Sequence, residues 1–176
     1  MLDEKLTANW IAQVSEALSY LHNSLFIAHR DIKLENILLN DQNEAKLSDF
    51  GFAVKAYDEE TETIELSKTF CGSKPYQCPQ IIKRVKYDPY KADAWAMGVL
   101  IFGMLNDRLP FHTNDKNQFF NEQKDPKYLG TRYKKEFCEH IKQLIAGLLT
   151  VDESKRFEIN DILKSDWIKK KGNCCQ

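Results

Sequence analysis

Long apolar runs are missing from the 176-residue sequence, and so is a strong excess of either charge. No stretch approaches the roughly 20 apolar residues that a membrane-spanning helix needs, so we expect no membrane span. The formal net charge of -1 gives no basic field and no reason to expect a nucleic-acid partner. Residues 1–5 are largely charged and contain no apolar stretch, which is unlike a secretory signal.

Cysteine is also scarce, with five residues that show no paired metal-ligand spacing. An odd count without a secretory signal favours reduced thiols over a disulfide framework. We therefore expect a cytoplasmic protein, and a nuclear location is compatible with the same observations. The hydrophobic share of 43% and the charged share of 29% are ordinary for one soluble globular domain.

The spacing of apolar residues predicts a mainly helical fold. The segments with the pattern of amphipathic or buried helices are residues 5–22, 91–105, 137–148 and 159–167. Two short apolar runs, 37–39 and 45–47, surround a polar turn at 40–43, and this arrangement predicts a small hairpin. Residues 49–80 show no periodicity, which predicts a long loop of functional importance.

One charged stretch has no explanation in a core pattern: residues 29–36 read His-Arg-Asp-Ile-Lys-Leu-Glu-Asn. Thirteen residues after Asn36 comes Asp49-Phe-Gly51. In this order, on opposite sides of a predicted hairpin, the two motifs are similar to the catalytic loop and the metal-binding turn of eukaryotic protein kinases. The alternative is a solvated charged loop followed by an ordinary glycine turn. It could account for either motif alone, but it accounts poorly for both motifs together.

The resemblance implies ATP-dependent phosphoryl transfer, which needs a carboxylate for the acceptor hydroxyl, cations for the phosphate oxygens and oxygen ligands for Mg²⁺. Asp31 would orient the hydroxyl, and Lys33 would neutralise charge on the transferring group. Asn36 and Asp49 would bind Mg²⁺, and Leu38 would lie beneath the adenine of ATP. The Asp-x-Lys-x-x-Asn pattern resembles serine/threonine kinases, so the expected partners are protein substrates with Ser or Thr acceptors.

The activation loop of the family has a counterpart in Thr69-Phe-Cys-Gly-Ser73. The resemblance places Ser73 in contact with Asp31 and Lys33. A phosphate on Thr69, added by an upstream kinase, would pair with Arg30, because arginine forms charge-assisted hydrogen bonds with phosphates. The alternative, an unmodified polar loop residue at Thr69, stays open.

Structural residues of the family also have counterparts. Asp93, at the start of the predicted central helix, would accept hydrogen bonds from the backbone of the catalytic loop. His29 and Phe50 would stack in an internal column that aligns the two lobes of a kinase, next to the turn glycine Gly51. By burial alone, both rings could equally be ordinary core residues.

One position departs from the family pattern. Gln80 stands where the family has a glutamate that forms a buried ion pair with the arginine found here at Arg156. A glutamine carbonyl can still accept a hydrogen bond, but we expect Arg156 to lose its counter-charge. Removing one partner of a buried pair typically costs about 3–5 kcal/mol, so the sequence predicts a looser activation segment.

Glycine is the other scarce residue. The seven glycines include no G-x-G pair, so no glycine-rich loop over the ATP phosphates is predicted. The expected fold is the helical C-terminal lobe of a protein kinase, mainly α with a small antiparallel hairpin and without an N-terminal lobe. We place the lobe at residues 1–170, with the catalytic loop at 29–36, the activation segment at 49–80 and a short tail at 171–176.

The sequence runs at 49–53 and 69–73 are most similar to the calmodulin-kinase group, and within it to the testis-specific serine kinases. The expected function is protein serine/threonine phosphorylation with ATP and Mg²⁺, with no turnover from the isolated lobe. A non-catalytic module that docks substrates or partners is the alternative. A complete set of reacting residues favours the enzyme, and the expected lack of an N-terminal lobe favours the binding module.

Overall fold

The computed structural model describes residues 2–125, 127–134 and 136–172, and this part of the chain is mainly helical with small antiparallel sheets. The helices are α1 (Glu4–Ser24), α2 (Pro79–Lys83), α3 (Pro89–Asn106), α4 (Lys116–Lys124), α5 (Glu139–Leu148), α6 (Ile159–Lys164) and α7 (Asp166–Lys169). The strands are β1 (Ile27–Ala28), β2 (Ile37–Leu39), β3 (Ala45–Leu47), β4 (Val54–Lys55), β5 (Tyr57–Asp58) and β6 (Thr63–Ile64). Short 3₁₀ helices cover Leu34–Asn36, Lys74–Tyr76 and Tyr128–Arg132.

Helix α3 is the buried centre of the fold. Asp88 caps its N-terminus by accepting the backbone N–H groups of Tyr90 and Lys91, and Pro89 suits the first turn, where its missing N–H would have no helical partner. Residues 92–102 are all buried, as a helix that is apolar on every side requires. Helices α1 and α5 pack against α3. The predicted central helix is therefore confirmed, with its start two residues earlier.

Helix α1 and the β2–β3 hairpin bracket the catalytic-loop sequence. Asp3 caps α1 by accepting the N–H of Leu6 at 2.9 Å. In the hairpin Ile37 pairs with Leu47, so the predicted hairpin is confirmed. Because its two strands join residue 36 to residue 48, the hairpin brings the ends of both sequence motifs to one place.

The segment 49–80 has more structure than the sequence predicts. Strand β4 pairs with β1, β5 pairs with β6, and the ring of Tyr57 stacks on Phe26 with centroids 4.5 Å apart. Two-residue strands are too short for apolar alternation to be visible. The prediction of an irregular loop is therefore wrong at residues 54–64.

Two helix boundaries also differ from the predictions. The single helix predicted at 159–167 is two helices, because Ser165 has an extended backbone (ψ 147°) and its hydroxyl accepts the N–H of Ile168 as the cap of α7. Helix α5 begins at Glu139 rather than at residue 137. Within the described residues, no helix is both long enough and apolar enough to cross a membrane.

The cysteines are in different states. Cys71 and Cys78 are free thiols, and burial raises the pKa of the Cys78 thiol. Cys138 is a half-cystine. The prediction of reduced thiols is therefore wrong at Cys138.

Candidate active site

Asp93 of α3 anchors the catalytic-loop sequence. Its carboxylate is 1% exposed and accepts the backbone N–H of His29 at 2.8 Å and that of Arg30 at 2.7 Å. A ring nitrogen of His22 lies 2.9 Å from the same group. Arg30 has a φ of 66°, and such left-handed backbone costs a non-glycine residue about 1–2 kcal/mol. The bonds to Asp93 offset that cost and fix the direction in which the next residue points.

Asp31 is the meeting point of the loop and the activation segment. One carboxylate oxygen accepts Lys33 Nζ at 2.7 Å and Asn36 Nδ2 at 3.3 Å, and the other accepts the backbone N–H of Ser73 at 2.8 Å. Lys33 Nζ also donates to Ser73 Oγ at 3.0 Å. The arrangement places a 4%-exposed carboxylate beside an ammonium and a hydroxyl. Such a group can accept a proton from an alcohol while a cation neutralises an incoming anion.

Gly72 allows this close approach. Its φ is +87°, and a Cβ on it would stand 2.6 Å from the backbone oxygen of Arg30. Only glycine meets both conditions without strain. The Tyr76 hydroxyl accepts the N–H of Leu34 at 3.3 Å and ties the same segment to the loop. The sequence reasoning did not single out either residue, although a glycine directly before Ser73 was the available signal.

The electrostatics keep Asp31 ionised. Burial alone would raise the pKa of Asp31, but hydrogen bonds from Lys33 and Ser73 outweigh it and hold the pKa below the ordinary value of 3.8. The hydrogen bond to Asp31 in turn raises the pKa of the Lys33 ammonium. At neutral pH the site is therefore a carboxylate and an ammonium in direct contact.

Asn36 and Asp49 are brought together through Ser48. The N–H and the hydroxyl of Ser48 donate to the backbone oxygen of Asn36 at 2.9 and 3.0 Å, so Asp49 follows within one residue of that contact. Asn36 Nδ2 donates to the backbone oxygen of Asp31 at 2.9 Å, which leaves the amide oxygen as the atom available to a cation. The N–H of Gly51 donates to the Asp49 carboxylate at 3.2 Å and fixes its rotamer.

This donor set fits Mg²⁺. Mg²⁺ in proteins is commonly held by one or two carboxylate or amide oxygens and completes its shell with phosphates and water. Among the residues that the structure describes, no cluster of three or more His, Cys, Asp or Glu side chains could hold a metal alone. An amide and a carboxylate therefore suit a metal that arrives with a nucleotide.

Two apolar residues near this site are about half exposed. The rings of His29 and Phe50 meet edge to face with centroids 5.0 Å apart, and His29 Nε2 lies 3.0 Å from the backbone oxygen of Ser48. Phe50 is 49% exposed and Leu38 is 54% exposed. Large apolar side chains that stay exposed beside a polar site are candidates for contact with a ligand or another part of a protein.

Arg30 does not contact Thr69 in this structure. Its Nε donates to the backbone oxygen of Phe52 at 2.7 Å, and its Nη1 donates to Ser67 Oγ at 3.3 Å. Thr69 is exposed, and its backbone oxygen accepts the Tyr87 hydroxyl at 2.8 Å. The guanidinium thus reaches the activation segment two residues before Thr69, and Ser67 is a contact that the sequence reasoning missed.

The site of Gln80 and Arg156 holds together without the family's glutamate. Arg156 Nη2 donates to Gln80 Oε1 at 3.0 Å, and Gln80 Nε2 donates to the backbone oxygen of Val151 at 2.7 Å. Arg156 Nη1 lies 3.9 Å from a carboxylate oxygen of Glu153. The expectation that Arg156 has no counter-charge is therefore wrong, because Glu153, three residues earlier, supplies one. Burial raises the pKa of Glu153, so this carboxylate is protonated at a higher pH than an exposed one.

The family model of the protein kinase domain matches residues 1–168 of the chain. The chain belongs to the protein kinase family. The sequence predicts the kinase catalytic loop at residues 29–36 and the kinase metal-binding turn at Asp49–Gly51. The roles assigned to individual residues of this family member stay predictions.

Several curated kinases are similar to the chain. Testis-specific serine/threonine-protein kinase 2 of Mus musculus is 34% identical over 167 residues, which cover 95% of this chain and 46% of that kinase. Testis-specific serine/threonine-protein kinase 4 of Homo sapiens is 36% identical over 179 residues (95% and 53%), and CBL-interacting protein kinase 28 of Oryza sativa subsp. japonica is 34% identical over 169 residues (96% and 38%). The likeness to the calmodulin-kinase group and to its testis-specific members is confirmed. The chain spans about half or less of the length of these relatives.

Proposed function

We propose that this chain is the C-terminal lobe of an ATP-dependent protein serine/threonine kinase and that it binds the acceptor hydroxyl and the metal-bound end of ATP. The observation that carries the proposal is the contact of Asp31 with Lys33 and Ser73, within hydrogen-bond distance of Asn36. A buried carboxylate whose pKa is shifted by specific charged and polar partners is typical of a functional site. The family supports serine/threonine kinase activity, and the residue roles below belong to the proposal.

Asp31 holds the hydroxyl of a substrate Ser or Thr and receives its proton as the hydroxyl oxygen bonds to the γ-phosphorus. The bond from that phosphorus to the β,γ-bridging oxygen breaks, and ADP leaves with the electron pair. Lys33 and Ser73 lie on the same carboxylate, so the ammonium can neutralise the transferring phosphoryl oxygens without moving far. Mg²⁺ held by Asn36 and Asp49 would supply further positive charge to the phosphates.

Transfer requires a second lobe in addition to these 176 residues. Leu38 is 54% exposed and Phe50 is 49% exposed, and in this proposal they are the floor of the adenine site and the contact to the second lobe. The sequence contains no G-x-G pair to cover the phosphates. We therefore infer that the chain alone gives no turnover and that the two-lobe protein does.

Regulation at Thr69 is part of the same proposal. Thr69 is exposed on the activation segment and is accessible to an upstream kinase. A phosphate there would draw Arg30 away from Ser67 and the backbone of Phe52, because it offers the guanidinium an opposite charge and a bidentate acceptor, which these two neutral oxygens do not. Phosphorylation would thus rearrange the segment between residues 67 and 73.

The function is tested by joining the chain to the N-terminal lobe of a testis-specific serine kinase and measuring label transfer from ATP to a serine peptide. Asp31→Ala should lower kcat by at least about 100-fold, as loss of a catalytic base does, and spare nucleotide binding. Asp49→Ala should abolish Mg²⁺-dependent nucleotide binding. Asp41→Ala, on the exposed hairpin turn, is the control and should change neither quantity. Equal loss of nucleotide binding in both site variants would refute this division of roles.

A further inference from the structure

Two lysines from different helices meet on one aromatic ring. Nζ of Lys83, in α2, lies 4.7 Å from the ring centroid of Phe120, and Nζ of Lys124, in α4, lies 5.2 Å from it. Both lysines are exposed, and Phe120 is half-buried between them. We call these three residues the Phe120 cluster. A cation on a phenyl face is stabilised by only about 0.5–1 kcal/mol at an exposed site, so the ring holds the ammonium groups in place without neutralising them.

The cluster has no carboxylate of its own. Within the described part of the chain, neither ammonium forms an ion pair, and the nearby acidic side chains are engaged elsewhere. Asp125 accepts the backbone N–H of Lys127 at 2.9 Å. Asp152, which lines the same cleft as Lys124, accepts the Ser154 hydroxyl at 2.8 Å. Two like charges on one ring, neither of them in an ion pair with a described residue, favour an external anion.

The Phe120 cluster is linked to Asp31 by a short series of contacts. Gln123, next to Lys124, donates to the backbone oxygen of Gln77 at 3.0 Å. The Gln77 side chain donates to the backbone oxygen of Gly72 at 3.0 Å. The following residue, Ser73, donates its N–H to Asp31 at 2.8 Å. Helix α4 therefore borders the same segment, 72–77, that borders the acceptor carboxylate.

We propose that the Phe120 cluster selects protein substrates that carry an anionic segment, with carboxylate or phosphate groups, a few residues from the acceptor Ser or Thr. Ser73 contacts Asp31, and Gln77, four residues later, contacts Gln123 of α4. An extended peptide advances about 3.3–3.6 Å per residue, so about four residues of a substrate span the same distance. Exposed Lys74, in the 3₁₀ helix between the two sites, adds positive charge along that path. This inference rests on the proposed kinase function for the identity of the acceptor site, and it adds the substrate class.

The test is fluorescence anisotropy of labelled serine peptides with the 176-residue chain. The peptides carry three Glu, three Gln or one phosphoserine, placed before or after the acceptor. In one of the two placements, the Glu and phosphoserine peptides should bind at least about fivefold more tightly than the Gln peptide, the effect expected from two exposed ion pairs. The preference should disappear in about 0.5 M salt, where exposed charges are screened.

Charge reversal identifies the surface. Lys83→Glu with Lys124→Glu should remove the preference for the Glu peptide, whereas Lys164→Glu, an exposed lysine of α6, should retain it. Circular dichroism of each variant shows whether the fold is kept. Equal affinity for Glu and Gln peptides in both placements, or a preference that survives the double reversal in a folded variant, would overturn the inference. Loss of transfer to every peptide by the two-lobe protein, with the charge preference intact, would overturn the kinase proposal and leave the anion-binding surface standing.

Discussion

Arg156 shows how a single residue can be held after its usual partner has changed. Its guanidinium donates to the backbone oxygens of Thr150, Lys91 and Val151 and to the Gln80 amide, and it lies 5.0 Å from the ring of Trp95. Most of the donors are thus used on neutral acceptors. The Arg156 guanidinium is stabilised by several carbonyl oxygens and one carboxylate at 3.9 Å. Its stability therefore depends less on the residue at position 80 than it would if that residue were its only ion-pair partner.

Restoring a carboxylate at position 80 should therefore change stability little. Gln80→Glu turns the bond from Arg156 into an ion pair but loses the Nε2 donor that bonds Val151, and each change is worth about 1 kcal/mol in opposite directions. We expect thermal unfolding of the variant within about 2 °C of the parent. Gln80→Ala, which loses both bonds, should unfold several degrees lower. A Gln80→Glu gain above about 1 kcal/mol that vanishes with Arg156→Ala would mean that Glu153 does not act as counter-charge.

Among the elements, the contact between α3 and α5 is a place where a glycine decides the packing. A Cβ on Gly98 would lie 2.9 Å from Leu148 Cβ and 2.9 Å from Leu149 Cδ2. A Cβ on Gly103, in the same helix, would have no atom within 4 Å. The two positions share a helical backbone and differ only in the space beside them.

Alanine at these two glycines should have opposite effects. Gly98→Ala forces α5 away and should cost about 1–3 kcal/mol, as overpacking does. Gly103→Ala should stabilise α3 by about 0.5–1 kcal/mol, because alanine loses less backbone entropy in a helix. Urea unfolding of both variants checks the prediction, with each serving as the control for the other. The same sign of change in both would mean that helix propensity, and not the α3–α5 contact, sets the result.

The sequence predicts the elements whose apolar residues recur at a regular spacing. It does not predict an element boundary that a single residue sets. Helix α3 and the β2–β3 hairpin follow from apolar patterns and a polar turn. The break at Ser165 was missed because a helix period continues through it while one capping hydroxyl starts a new helix. Strands of two residues, as in β5 and β6, carry no period at all.

The candidate site divides in the same way. Asp31, Lys33, Asn36 and Asp49 could be selected because their spacing matches a known motif. The contacts of Arg30 with Ser67 and of Arg156 with Glu153 depend on side-chain geometry across the fold, which no local pattern encodes. The Phe120 cluster is of this second kind too, since its lysines come from separate helices.

At the scale of the whole molecule, a buried central helix is combined with partly exposed apolar side chains near the candidate site. Helix α3 is buried along most of its length, and the loop carrying Asp31 is fixed to it through Asp93. Leu38 and Phe50 are each about half exposed. A lobe that binds a nucleotide and a partner lobe would combine these two features: a catalytic loop fixed to a buried helix, and exposed apolar side chains.

Leu38 offers a way to separate the folding of this lobe from the completion of its site. Because the side chain is 54% exposed, Leu38→Gln should change the unfolding free energy of the 176-residue chain by no more than about 0.5 kcal/mol. In the two-lobe protein the same change should weaken ATP binding about tenfold or more, since full burial of a leucine is worth about 1.5–3 kcal/mol. Leu39→Gln is the matched control: Leu39 is 47% exposed, and successive residues of a strand point to opposite faces. Calorimetric titration with ATP and Mg²⁺ measures both variants. If the two substitutions weaken binding equally, Leu38 is not the floor of the adenine site, and the proposed position of the nucleotide on this lobe is wrong.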